Sequence, residues 1–156
     1  MLFDKQQYDF MYAALMEAEK AFEDEEVPVG AVVVYNNRII GRGFNQVEML
    51  KDPTAHAEMI AITAAANNLG EKFLTECDLY VTLEPCVMCT GAIINSKIRN
   101  LYFAAADPKS GACGSVHNIA EENKLNHKVN VFQGIYSEES KNLLLSFFNS
   151  KRENNN

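Results

Sequence analysis

The chain has 156 residues, a hydrophobic fraction of 47% and a formal net charge of −7. This length favours one domain with a single core, and this composition is typical of a globular protein rather than a disordered one. Its apolar runs stop short of the roughly 20 residues that a membrane span needs, and its N-terminus lacks a secretory signal pattern. We therefore expect no membrane association and a cytoplasmic location.

The first half of the chain indicates a helix, a hairpin and a second helix. Apolar positions at helical spacing predict a helix over residues 4–24. Two strand-like runs meet at an Asn-Asn turn, which predicts strands near 29–35 and 38–45. An alanine-rich run that ends at the letters NNLG predicts a helix over residues 54–70.

The second half alternates strands and helices, and it ends with a helix for which Ser137 is the candidate N-cap. The predicted segments are a strand at 77–84, a helix at 86–97, a strand at 99–106, a loop rich in small residues at 107–115, a strand at 128–135 and a helix at 137–152.

This order predicts an α/β fold with helices on both faces of a mixed five-stranded sheet, that is, a three-layer α/β/α sandwich. We expect one domain over residues 1–150. The last segment, residues 151–156, ends in three asparagines and is predicted to be a disordered tail.

Two cysteines form a C-x-x-C pair, Cys86 and Cys89, at the predicted start of a helix. Residues three apart lie on one side of a helix, so both sulfur atoms can reach one ion, and thiolate sulfur suits zinc. The positive end of the helix dipole also favours the thiolate form. A redox dithiol, or two buried cysteines without chemistry, are the alternative explanations of this pair.

His56 opens a second predicted helix. If both helices start at the same edge of the sheet, His56, Cys86 and Cys89 can bind one ion. Three protein ligands leave a fourth tetrahedral position open, which is typical of catalytic rather than structural zinc. A closed structural site would need a fourth protein ligand, for which the candidates are Cys77, Cys113, His117 and His127.

Glu58 lies two residues after His56, among apolar neighbours. An unpaired carboxylate is costly to bury, so Glu58 is either an ordinary surface residue or a functional one. Beside a zinc site with an open position, a carboxylate is suited to take a proton from activated water and deliver it to substrate and leaving group. We therefore predict that Glu58 is a proton shuttle.

The letters HAE, followed after 26 residues by PCVMC, match the H-x-E…P-C-x-x-C signature of zinc-dependent nucleobase deaminases. With "VPVGAVVV", "GRGFNQ", "DPTAHAEMIA", "LYVTLEPCVMCTGAII" and "DPKSGACGS", the chain resembles the bacterial tRNA-specific adenosine deaminase family, which makes inosine at the anticodon wobble position. The similarity runs from about Val27 to Ser115 and resumes weakly at "NHKVNVFQGI" and "LLLSFF".

The resemblance implies a cytidine deaminase-like fold and a hydrolytic deaminase that acts on the tRNA anticodon stem-loop as a homodimer. It implies one Zn²⁺ per subunit, and it implies that Glu58 activates the water, protonates N1 of adenine and helps to expel ammonia from C6. The implied zinc ligands are His56, Cys86 and Cys89. The implied substrate contacts are Asn45, Asp107, Lys109 and Phe148.

Two other functions remain open on the sequence. A deaminase of a free base or nucleoside, of the guanine or cytosine type, would use the same zinc site, and the acidic balance of the chain favours a small substrate. A non-catalytic zinc-stabilised domain that only binds RNA or protein would need a fourth protein ligand and would have no need of Glu58.

Overall fold

The computed structural model describes residues 2–155, and its elements follow the predicted order with two additions, a one-turn helix after the hairpin and a short 3₁₀ turn. The helices are α1 (Lys5–Glu23), α2 (Val47–Leu50), α3 (Ala57–Leu69), α4 (Val87–Asn95) and α5 (Ser137–Asn154), and the 3₁₀ turn is Ile119–Glu121. The strands are β1 (Gly30–Tyr35), β2 (Arg38–Phe44), β3 (Asp78–Leu83), β4 (Asn100–Ala105) and β5 (Asn130–Gln133). No helix within residues 2–155 combines the length and apolar character that a membrane crossing requires.

The five strands form one mixed sheet in the order β2-β1-β3-β4-β5. Strand β1 is antiparallel to β2 and β3, whereas β3, β4 and β5 run parallel. Side chains alternate across a strand, so Val32 packs on the α1 face of the sheet and Val33 on the face covered by α3 and α4. Helix α5 joins α1, with the rings of Phe22 and Phe147 6.1 Å apart. The predicted three-layer α/β/α sandwich is confirmed.

Helix α3 lies very close to β2 because small residues face each other. A Cβ atom at Gly41 would overlap the carbonyl oxygen of Ala61, and one at Gly43 would overlap that of Ala57. This approach explains why alanines recur along the inner side of the helix. Since Gly43 pairs with the start of β1, the same contact holds the first turn of α3 at the sheet edge where β1 begins and β3 and β4 end.

The start of α4 lies at this same edge. Strand β3 ends at Leu83, and Cys86 takes the N-cap position of α4, just as His56 takes that of α3. The Glu84 N–H donates to the carbonyl oxygen of Ala105 at the end of β4, at 2.9 Å. The two helix N-termini predicted to meet at one edge of the sheet therefore do so.

One predicted helix start and one predicted N-cap differ in the structure. Helix α3 begins at Ala57 rather than at residue 54, because the N–H and hydroxyl of Thr54 donate to Asp52 Oδ1, at 2.8 and 2.7 Å, in a turn of their own. The N-cap prediction for Ser137 is wrong. Tyr136 takes the cap position in left-handed backbone, with φ of 58°, and the Ser137 N–H already donates to Gly134 in the preceding turn.

The predicted disordered tail is wrong for residues 151–154, which continue α5 to Asn154. Lys151 and Arg152 lie in the last turn, where positive charge interacts favourably with the helix dipole. The Lys151 ammonium also lies 5.6 Å from the centre of the Phe147 ring. Asn156 lies outside the described residues.

Candidate active site

Three side chains converge where α3 and α4 begin. The Nδ1 atom of His56 lies 3.7 Å from Cys86 Sγ and 3.4 Å from Cys89 Sγ, and one donor atom from each residue lies within 4.8 Å of the others. Tetrahedral zinc with bonds of about 2.3 Å to sulfur and 2.0 Å to nitrogen places its donors about 3.5 to 3.8 Å apart. The donor set and spacing therefore fit a Zn²⁺ ion, as the sequence predicts.

The candidate fourth ligands lie elsewhere. Within the part of the chain that the structure describes, the cluster of possible metal ligands holds only those three residues. The Cys113 sulfur instead contacts the Thr90 hydroxyl at 3.3 Å, and His127 Nε2 contacts the Ile98 carbonyl oxygen at 2.7 Å. This arrangement favours a zinc site with an open position over a closed structural one.

Contacts among the three candidate ligands shift the pKa values of the two thiols in opposite directions. A hydrogen bond from Cys89, helped by one from His56, lowers the pKa of Cys86 to about 3, although burial opposes this. The same pairing with Cys86, together with burial, raises the pKa of Cys89. The hydrogen bond with Cys86 is the main cause of the raised pKa of His56. Because metal binding needs both thiolates, it should release protons from this cluster.

Glu58 lies in the first turn of α3 and is only 4% exposed. Burial is the main cause that raises its pKa, to about 7, while its own backbone N–H, His56 and Cys89 act in the opposite direction. A carboxyl group with a pKa near neutral pH can both accept and donate a proton. Its position beside the three candidate ligands is therefore suited to acid–base chemistry.

These groups face a cavity of about 240 Å³ whose lining includes Asn45 and Asp107 among the predicted substrate contacts. Asn45 directly follows β2, where its amide donates to the Val27 carbonyl oxygen and its Oδ1 accepts from the Val47 N–H, both at 3.3 Å. These two bonds fix the orientation of the Asn45 side chain in the cavity lining.

Asp107 comes from the loop after β4. Its Oδ1 accepts from the N–H groups of Lys109 and Ser110, at 3.0 and 3.2 Å, so part of the carboxylate is used within its own turn. Ser110 lines the cavity with Asp107, whereas the side chain of Lys109 is exposed outside this lining. The role of Lys109 in substrate binding stays a prediction.

A wider groove of about 850 Å³ borders this cavity and reaches α5. Phe147 and Lys151 line the groove, whereas Phe148 is 44% exposed outside it, with its ring 5.4 Å from that of Phe147. The predicted role of Phe148 stays a prediction, and Phe147 is a lining residue that the sequence pattern did not single out.

Glu84 is a second residue that the sequence analysis missed. Its side chain lines the cavity, is 2% exposed and accepts hydrogen bonds from the loop after β4. Burial alone would raise its pKa, but the Ser115 hydroxyl and the N–H groups of Asp107, Ser115 and Cys113 hold the pKa below its usual value. The available signal was a carboxylate directly after an apolar strand and before Pro85-Cys86.

Comparison with known proteins decides the family. A family model described as the cytidine and deoxycytidylate deaminase zinc-binding region matches residues 4–105. A tRNA-specific adenosine deaminase of Aquifex aeolicus is 50% identical over 145 residues, which cover 93% of this chain and 95% of the relative. The chain belongs to the tRNA-specific adenosine deaminase family. The predicted resemblance is thus confirmed, and the matched zinc-binding region, with the His56, Cys86 and Cys89 cluster, confirms Zn²⁺ as the cofactor.

Solved structures agree with membership in this family. One, from a study of A-to-I editing by tRNA:A34 deaminases at the wobble position of transfer RNA, has a TM-score of 0.84 and 44% identity, and the match covers 86% of this chain and 98% of that chain. A guanine deaminase from Nitrosomonas europaea has a TM-score of 0.75 and 25% identity, with 94% and 86% covered. The higher identity lies with the tRNA deaminase.

Proposed function

We propose that this protein is a zinc-dependent hydrolase that converts adenosine to inosine at the wobble position of the tRNA anticodon. The observation that carries the proposal is the cluster of His56, Cys86 and Cys89 at tetrahedral spacing beside the buried Glu58. It occurs in a chain whose similar relatives bear the name tRNA-specific adenosine deaminase.

His56, Cys86 and Cys89 hold the zinc ion in this proposal. When bound there, Zn²⁺ would supply Lewis acidity that makes a water molecule easier to deprotonate near neutral pH. Glu58 accepts the proton that this water releases and delivers it to N1 of adenine. The water oxygen would bond to C6, and Glu58 would pass the remaining proton of that oxygen to the C6 amino group, so that the C6–N bond breaks and ammonia leaves. The raised pKa of Glu58 supports its role as a group that both accepts and donates a proton.

The proposed substrate contacts are residues in or near the lining of the cavity. Asn45 and Asp107 both line the cavity, where the Asn45 amide can orient the nucleoside. A cavity of about 240 Å³ is too small for stacked base pairs, so the adenine must enter as an extruded base. We propose that Lys109 contacts the RNA backbone and that Phe148 stacks on a neighbouring base.

The anticodon stem-loop is the proposed partner, and a homodimer in the cytoplasm is the proposed state. Phosphate contacts dominate nucleic-acid affinity, yet the chain carries a net charge of −7. Lys109 and Lys151 lie on the cavity side, whereas Lys97 and Arg99 precede β4 at the opposite edge of the sheet. A second copy of the chain would supply the additional cations that one subunit lacks beside its cavity.

The proposal is tested by comparing substrates on the zinc-loaded protein. The substrates are an anticodon stem-loop with adenosine at position 34, free adenosine, guanine and cytosine, with product detected by mass. We expect inosine in the stem-loop and little turnover of the free compounds. Turnover of guanine or cytosine with none on the stem-loop would replace the proposal with a free-base deaminase. The matched control is a stem-loop with guanosine at the same position.

A further inference from the structure

The loop at residues 107–115 folds around a single buried side chain, that of Glu84. Its Oε1 accepts from the Asp107 N–H at 3.0 Å and from the Ser115 hydroxyl, and its Oε2 accepts from the N–H groups of Cys113 and Ser115, at 3.0 and 3.1 Å. Four donors from both ends of the loop therefore converge on one carboxylate.

Only a carboxylate satisfies this arrangement. An ionised Glu accepts hydrogen bonds at both oxygens and donates none, whereas Gln would direct an amide NH₂ at backbone N–H groups. Gly111 completes the fit, because a Cβ atom there would overlap the Glu84 carboxylate. The loop thus has a glycine at the point where the Glu84 carboxylate packs against it, and it has hydrogen-bond donors facing both carboxylate oxygens.

The same residue ties the loop to the metal-binding segment. Glu84 lies two residues before Cys86, and the Ala112 N–H donates to the Pro85 carbonyl oxygen at 2.9 Å. The anchored loop contributes Asp107 and Ser110 to the cavity lining. Any displacement of the carboxylate would therefore move one wall of the cavity relative to the zinc ligands.

We propose that Glu84 is a positioning residue that holds the 107–115 loop as a wall of the substrate cavity and thereby sets the affinity for the RNA substrate. The inference rests on the proposed function for its substrate but not for its geometry. Glu84 does not exchange protons with substrate, because loop donors already occupy both of its oxygens. It differs in this respect from Glu58, which faces the same cavity.

Steady-state kinetics on the adenosine-34 stem-loop separates positioning from other roles. We expect Glu84→Gln to keep its zinc, to raise KM about tenfold or more and to change kcat by only a few-fold. Gly111→Ala should act in the same direction, and Ser115→Ala more weakly. Because Ser115→Ala removes a hydroxyl that donates to Glu84, the double variant Glu84→Gln/Ser115→Ala should be less impaired than the product of the two single effects.

The matched control is Glu17→Gln, which alters another buried carboxylate, in α1, away from the cavity lining. All assays are run well below the melting temperature of each variant. An unchanged KM in Glu84→Gln with only a lower melting temperature would reduce Glu84 to a structural role and overturn the proposal. A large fall in kcat at unchanged KM would overturn it by assigning Glu84 to the chemical step.

A second measurement does not depend on the substrate. Hydrogen exchange of the peptide containing residues 107–115 should be faster in Glu84→Gln than in the wild type, while the peptides of α3 and α4 stay protected. Unchanged exchange in this loop would overturn the proposal whatever the enzyme's substrate. If the wild type failed on the stem-loop but the variant loosened the loop, the proposed function would be wrong and Glu84 would remain the residue that positions the loop.

Discussion

Glu58 and Glu84 face the same cavity and are almost equally buried, at 4% and 2% exposure, yet their surroundings change their proton affinity in opposite directions. Burial dominates at Glu58 and raises its pKa to about 7. Burial acts the same way on Glu84, but the Ser115 hydroxyl and three backbone N–H groups outweigh it and hold the pKa below its usual value.

Burial alone therefore does not assign a role to a carboxyl group. Hydrogen bonds to the charged form oppose the effect of burial, and the balance of the two decides whether the charged form is stabilised. A buried carboxyl group with few donors can gain and lose protons near neutral pH, which is what acid–base catalysis needs. A carboxylate whose oxygens both accept hydrogen bonds from the protein stays charged, and it holds the surrounding chain in place instead of transferring protons.

Withdrawing the metal should produce the largest effect. It should remove activity through the zinc ligands and leave the loop that Glu84 anchors unchanged. Treatment with a chelator, or the Cys86→Ala variant, should abolish detectable deamination because the cluster would lose its zinc. Adding Zn²⁺ back should restore the chelated wild type but not the variant. Since the site has no fourth protein ligand within residues 2–155, circular dichroism and exchange in the 107–115 loop should change little. Global unfolding on chelation would instead indicate a structural zinc.

Glu58→Gln should give the next largest effect. The amide is nearly isosteric but cannot shuttle protons, so kcat should fall by about 10³-fold, within the range attributed to general acid–base catalysis. Zinc content, measured by elemental analysis, should equal that of the wild type. Glu84→Gln is the paired control at the same cavity, and its kcat should stay within a few-fold of the wild type. Equal losses of kcat in both variants would remove the distinction between the two carboxylates.

The zinc ligands could be predicted from the sequence because each lies in a short motif at the start of a predicted helix. His56, Cys86 and Cys89 lie at helix starts, and the strand-helix order brings those starts to one sheet edge. The apolar neighbours of Glu58 left a surface position and a functional one open, and the structure shows that Glu58 is buried. For the three ligands, a short motif and a regular periodicity carry the prediction.

The hydrogen bonds of Glu84 could not be predicted in the same way, because its partners lie 23 to 31 residues further along the chain in a loop without periodicity.

The orientation of residues within helix α5 is a second feature that the sequence did not determine. Phe147 and Phe148 are adjacent, so about 100° of rotation separates them, and periodicity did not decide which one faces the groove. The N-cap of α5 was missed, because Tyr136 takes that position in left-handed backbone, which non-glycine residues rarely adopt.

The pH dependence of stability should distinguish Glu58 by its sign. In the metal-stripped protein its folded pKa, about 7, lies above the ordinary 4.5. The stability that wild type gains over Glu58→Gln is therefore fully present below pH 4.5 and is lost as pH rises through 7. A tenfold change in proton affinity corresponds to about 1.4 kcal/mol, so the difference between their unfolding free energies should fall by on the order of 3 kcal/mol. Urea titrations of both proteins at several pH values measure this, and parallel curves would contradict it.

Glu84 should give a smaller effect of opposite sign, because burial partly offsets its hydrogen bonds. Its folded pKa lies below 4.5, so the stability that wild type gains over Glu84→Gln is present above pH 4.5 and is lost as pH falls through the folded pKa. Thermal unfolding between pH 3 and 6 should show this gap narrowing on acidification, while the gap for Glu58→Gln in the metal-stripped protein widens. If the stability difference between wild type and variant changed with pH in the same direction for both residues, their hydrogen-bond partners would not separate their proton affinities. The distinction between Glu58 as a proton carrier and Glu84 as a fixed anchor would then be wrong.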